Sequence, residues 1–110
     1  MNERGGSIMI ENCELVANNF NVFINRGTAL VNDCTFSGKD GYVTVMSLGA
    51  PDAKIITLSG DIRVSQSFSV QGGGTATVLA GTYNFDVTSY VDMNTYNVTN
   101  DGTIWTVIAK

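Results

Sequence analysis

The chain has 110 residues and a formal charge of −4, which sets one domain and argues against nucleic acid, a partner that rewards clustered Lys and Arg. Only 15% of residues are charged against 44% hydrophobic, and Gly, Asn, Thr, Val and Ser are abundant, which suits strands and tight corners better than helices. No apolar run reaches the length of a membrane-spanning helix, and Met1-Asn2-Glu3-Arg4-Gly5-Gly6 lacks the apolar core of a signal peptide.

The first pass runs from 5 to 26. Ile8 and Ile10 alternate inward, Glu11-Asn12 make a corner, and Cys13 and Leu15 resume the inward pattern. After Ala17-Asn18-Asn19, a third alternating strand is expected from Phe20, Val22 and Ile24, closed by Asn25-Arg26-Gly27. Three short strands per turn is the cross-section of a parallel β-helix.

A second pass over 27–54 repeats this order. Ala29 and Val31 point inward, Asn32-Asp33 turn, Cys34 and Phe36 point inward, and Tyr42 to Met46 supply the third strand. Its excess length, Ser47 to Lys54, holds the sole proline and reads as a protruding loop, because solenoid insertions collect at one edge. The third pass, 55–73, places Ile56, Leu58, Ile62, Val64, Phe68 and Val70 inward, with Ser59-Gly60-Asp61 and Gln71-Gly72-Gly73-Gly74 at corners. The fourth, 74–92, repeats with Thr77, Leu79, Tyr83 and Phe85 about Ala80-Gly81-Thr82. Cys13 to Cys34 is 21 residues, Cys34 to Ile62 is 28, and Ile62 to Tyr83 is 21 again. That period with strand-type sequence is the mark of stacked parallel rungs.

Beyond the repeat, Asp86 is placed to cap a short helical turn whose Val87, Tyr90 and Val91 share one face. The remaining 93–110 read as a capping hairpin about Asp101-Gly102, with Val98 facing Trp105 and Tyr96 facing Val107. A solenoid needs such a lid over its last rung. Strand sequence begins almost at once, so the chain reads as the C-terminal piece of a longer protein. No matching cap is legible before Ile8, so either upstream rungs cover Ile8 and Ile10 or another copy does, and the uncapped end is expected to self-associate. The expected fold class is therefore all-β: a single-stranded parallel β-helix of about four rungs over 1–92 with a C-terminal hairpin cap.

Chemistry-bearing residues are sparse. There is no histidine, which removes the usual general base and, with only two cysteines, makes a zinc site unfavourable. Cys13 and Cys34 fall at equivalent rung positions and read as an internal ladder of free thiols. Glu11, Glu14 and Asp33, with Asp61 and Arg63 a rung further on, form a candidate binding corner for calcium or saccharide. The competing reading is a solvated corner with ordinary surface charge. Gly72-Gly73-Gly74 lacks the Lys-Ser/Thr and helix of a phosphate loop and reads as a corner, while Asn97-Val98-Thr99 is one glycosylation sequon. No catalytic residue and no resident cofactor is assigned.

The stretch Gly81-Thr82-Tyr83-Asn84-Phe85-Asp86-Val87-Thr88-Ser89-Tyr90-Val91, followed by Tyr96-Asn97-Val98 and Asp101-Gly102-Thr103-Ile104-Trp105-Thr106-Val107, resembles a recurring segment of bacterial cell-surface proteins, many from gut anaerobes. The resemblance covers roughly the last quarter of the chain closely and implies a right-handed parallel β-helix in an exported parent protein. It implies no activity. Expected functions are a non-catalytic structural or adhesive segment that binds saccharide or protein through loops, a polysaccharide-active lyase or hydrolase fragment, or a phage fibre or tailspike-like segment. Low charge, absent histidine and few rungs favour the first.

Overall fold

The computed structural model describes residues 1–3, 5–18, 21–48 and 55–110. Its strands follow from alternation. β1 (Ser7–Glu11), β4 (Thr28–Asn32), the first half of β7 (Ile55–Val64) and β9 (Thr75–Tyr83) stack in parallel as one column. Their inward residues align as Ile8, Ala29, Ile56 and Ala76, and as Ile10, Val31, Leu58 and Val78. β2 (Glu14–Val16), β5 (Thr35–Ser37) and the end of β7 form a second column, and β3 (Phe23–Asn25), β6 (Val45–Leu48) and β8 (Phe68–Gln71) a third. The chain is thus an all-β parallel solenoid of about three turns, with a fourth strand in the first column rather than a full fourth rung.

Aromatic pairs fill much of the interior. Phe23 stacks on Phe36 at 6.3 Å between ring centroids, and Phe68 stacks on Phe85 at 5.1 Å with Tyr90 edge-on at 5.6 Å. Such pairs contribute about 0.5–1.5 kcal/mol beyond their area. The third column also carries a polar ladder. Asn25 is fully buried; its Oδ1 accepts from Asn2 Nδ2 and from the Gly27 N–H, and its Nδ2 donates to the Gly27 carbonyl and to Ser47 Oγ. Every polar atom of that carboxamide is satisfied, as burial requires.

Three inward phases differ from the sequence expectation. In the third column Phe23 and Asn25 face the core, not Val22 and Ile24, because the corner Asn is held inside by its ladder. The strand expected at Tyr42 to Met46 forms at Val45–Leu48, since Thr44 spends its hydroxyl on the Gln66 and Ser67 N–H groups and Tyr42 lies outside. In β9 the inward pair is Ala76 and Val78, not Thr77 and Leu79, because a bulge between Leu58 and Gly60 gives β9 one extra residue before Gly81. Tyr83 and Ile62 are back in register after it. The residue Phe20 and the loop Gly49 to Lys54 lie outside the described residues.

Both ends of the solenoid differ from expectation in detail. β10 (Tyr96–Asn100) and β11 (Trp105–Ala109) form the hairpin, but Val98 pairs with Val107 and Asn100 with Trp105, around a four-residue loop. Asp101 organises that loop by accepting from the Thr103 and Ile104 N–H groups. β11 then pairs antiparallel with β9, Trp105 opposite Tyr83, so the hairpin covers the last rung by extending its sheet. The turn before it is a 3-10 helix at Thr88–Tyr90, with Asp86 accepting from the Thr88 N–H and Val87 buried beneath. At the other end, Asn2 bridges Asn25 in parallel and covers the edge of β3, a partial cap that the sequence reading did not include.

Candidate functional site: the polar corner

The corner between the first and second columns repeats one backbone device. Asn12, Asp33 and Gly60 stand at successive levels with positive φ of 53°, 53° and 76°. Asn, Asp and Gly tolerate that left-handed conformation best. A Cβ on Gly60 would collide with the Asp33 carboxylate, which lies directly over it. From there Asp33 Oδ1 accepts the Asp61 N–H at 2.8 Å, and Ser59 Oγ donates to Asn32 Oδ1 at 3.1 Å.

Of the residues singled out in the sequence, the structure brings Asp33, Asp61 and Arg63 together. Arg63 Nη1 lies 2.6 Å from Asp61 Oδ1 and also donates to the carbonyls of Ile62 and Thr82. Thr82 Oγ1 donates to the same Asp61 oxygen at 2.9 Å. The ion pair is largely solvent-facing, so its own contribution is about 0–1 kcal/mol. Its geometric effect is larger: the guanidinium is tied down to the rung below it and is not extended into a groove.

Glu11 and Glu14 stand apart from this group. Glu11 heads an outward column with Asn32 and Ser59, and Glu14 heads another with Thr35 and Arg63. Glu14 and Arg63 are therefore separated by two strand spacings, about 9.6 Å. Among the described residues no group of three His, Cys, Asp or Glu side chains could hold a metal ion, and Arg63–Asp61 is the ion pair present.

The thiols also divide. Cys34 is buried and Cys13 exposed, and both are free. Cys34 donates to backbone carbonyls of Ile10 and Asn32, and burial pushes its thiol up from the ordinary value. Cys13 occupies the equivalent position one rung earlier, where no strand of the described residues lies over it, and its thiol donates to the Glu11 carbonyl.

Sequence reasoning missed Thr82 and Asn84. Thr82 closes the Arg63–Asp61 pair, and Asn84 ties the end of β7 to the last rung. An Asn directly after the alternating Tyr83 was the available signal. A second exposed cluster lies on the loops 38–44 and 65–67. Gln66 Nε2 donates to Asp40 at 2.8 Å, and Lys39 Nζ sits 5.9 Å from the Tyr42 ring centroid.

No family model matches the chain, and neither the curated proteins nor the solved structures contain a match to it.

Proposed function

We propose that this solenoid is a non-catalytic structural or adhesive segment of a bacterial surface protein, presenting loops to saccharide or protein outside the cell. The observation that carries this reading is the use made of the polar corner. Asp33, Asp61, Arg63 and Thr82 bond to one another and to backbone across the rungs, which locks the corner and leaves it, among the described residues, without a converging acid and base. Polysaccharide hydrolysis needs two carboxyl groups placed across one bond, and lyase chemistry needs a base that reaches its substrate. The exposed cluster of Lys39, Asp40 and Tyr42 on one loop and Gln66 on the next offers instead the mix of aromatic and hydrogen-bonding groups that suits contact with a polar partner.

The test is a glycan array probed with calcium and with chelator, beside a reducing-end assay on acidic and neutral polysaccharides. The expected result is binding or silence on the array that does not change with chelator, and no turnover. Turnover that disappears in a folded Arg63→Ala variant overturns the reading in favour of an enzyme.

A further inference from the structure

The end of the solenoid at β1 is open in a specific way. Asn2 covers β3, but the described residues place nothing over β1 or β2. The backbone parity of β1 is set by its two flanking bonds to the second rung: the Thr28 N–H donates to the Gly6 carbonyl, and the Asn12 N–H donates to the Asn32 carbonyl. In a parallel ladder the bonding residues alternate, so Gly6, Ile8, Ile10 and Asn12 bond inward to β4. Ser7, Met9 and Glu11 therefore turn their N–H and C=O groups toward the free edge. The side chains follow the opposite partition. Ile8 and Ile10 point to the core yet keep 37% and 9% of their surface exposed, and Met9 stands 62% exposed beside Leu30.

We propose that β1 pairs antiparallel with β1 of a second copy of this chain, on a twofold axis through Met9. That register puts Met9 opposite Met9 of the second copy and Ser7 opposite Glu11 of the second copy, so the residues whose backbone groups no strand pairs become the hydrogen-bonded pairs of an antiparallel ladder; the Glu11 carbonyl, which already accepts the Cys13 thiol, uses its second lone pair. It also sets the part-exposed Ile8 opposite the buried Ile10 of the second copy, so that the open end of each core meets the other. Glu11 is the one charged residue of β1, and this register places it against a serine hydroxyl instead of its own image. Hydrogen bonding, burial and charge thus select the same alignment. The contact is isologous and stops at two copies. The opposite edge of the sheet, β10, exposes Asn97, Thr99 and Asn100, a polar face that discourages pairing.

The experiment is sedimentation equilibrium of the whole chain over a wide concentration range, with Met9→Pro as the key variant. Proline removes an N–H that the monomer does not use, which an edge strand tolerates. The expected result is a species of twice the 11.7 kDa chain mass for the parent protein, and a folded monomer for Met9→Pro. Met9→Lys serves if proline disturbs the strand: it should dissociate the pair by placing two ammonium groups on the axis, and added salt should partly restore it. A parent protein that stays monomeric at the highest concentration overturns the proposal. So does a folded Met9 variant that dimerises as tightly as the parent, or growth into open polymers.

Discussion

The carboxamide of Asn84 pairs with both backbone groups of Val64: its Oδ1 accepts the Val64 N–H at 2.9 Å, and its Nδ2 donates to the Val64 carbonyl at 2.8 Å. A side chain here takes the place of a peptide unit in the ladder. The reason is local. β9 ends at Tyr83, while β7 continues to Val64 and would otherwise leave its last N–H and C=O unpaired beside the core.

Asn84→Ala should lower stability by about 1–3 kcal/mol, the cost of stranding partly buried backbone groups. Asn84→Asp should be nearly as harmful at neutral pH, since it keeps the acceptor but replaces the donor by a carboxylate oxygen facing the Val64 carbonyl. Urea unfolding of both variants checks this. An Asp variant as stable as the parent would mean that the Nδ2 bond contributes nothing.

Tyr83 is fully buried, with its hydroxyl 2.8 Å from the Leu79 carbonyl and 3.1 Å from that of Leu58. These carbonyls flank the bulge, where the ladder cannot use them fully. Burial pushes the phenol well above its ordinary value, so it stays a neutral donor. Tyr83→Phe should cost about 1–2 kcal/mol while retaining the aromatic packing against Phe85. Calorimetry on the variant reads the difference directly.

Gly60→Ala faces two penalties, a positive φ and the Asp33 and Asn32 side-chain oxygens in the space its Cβ needs. A loss of about 2–4 kcal/mol is expected. In a cycle with Asp33→Ala, which carries its own cost at a positive φ, the double variant should lose less than the sum of the two single losses, because the carboxylate part of the collision is removed while Asn32 Oδ1 and the Gly60 strain remain. Strict additivity of the two changes in denaturant unfolding would show that the carboxylate does not occupy that position.

The hairpin loop carries an acid dependence. Asp101 is held below its ordinary value of 3.8 by the N–H groups of Thr103 and Ile104 and by the Thr103 hydroxyl. A depressed carboxylate stabilises the fold in full above its unfolded value and loses that contribution as pH falls through the lower native value. Asp86, held down by Thr88, acts in the same direction. Protection of the β10 and β11 amides, their exchange rate relative to that of an unstructured chain at the same pH, should therefore fall below about pH 4, and Asp101→Ala should remove the Asp101 part of that dependence. Protection factors unchanged by both the acid and the substitution would refute the role given to Asp101.

The rungs were legible in the sequence because a half-buried parallel strand alternates, and Ile10, Val31, Leu58, Ile62 and Val64 keep that alternation whatever lies beside them. The hairpin was legible for the same reason, since Asp101-Gly102 separates two alternating runs. Register was not. The turn chemistry of Asp101 expands a two-residue loop to four, and a shift of two preserves the faces, so alternation cannot distinguish the pairings.

The candidate corner divides along the same line. Asp33 and Gly60 could be placed at one corner because only certain residues accept a left-handed backbone there. That Arg63 would fold back on Asp61 and Thr82, while Glu11 and Glu14 stay apart, depends on which column each residue enters and on the direction of a long side chain. The inward turn of Asn25 likewise needed its partners Asn2 and Ser47, each more than 20 residues away in the chain. By itself, then, the sequence determined an all-β parallel solenoid with a hairpin at one end, because alternation and corner residues are local properties of the chain. Tertiary structure alone decided which strand bulges, which polar groups are enclosed and which edge is left open, because each depends on a neighbouring rung one turn distant.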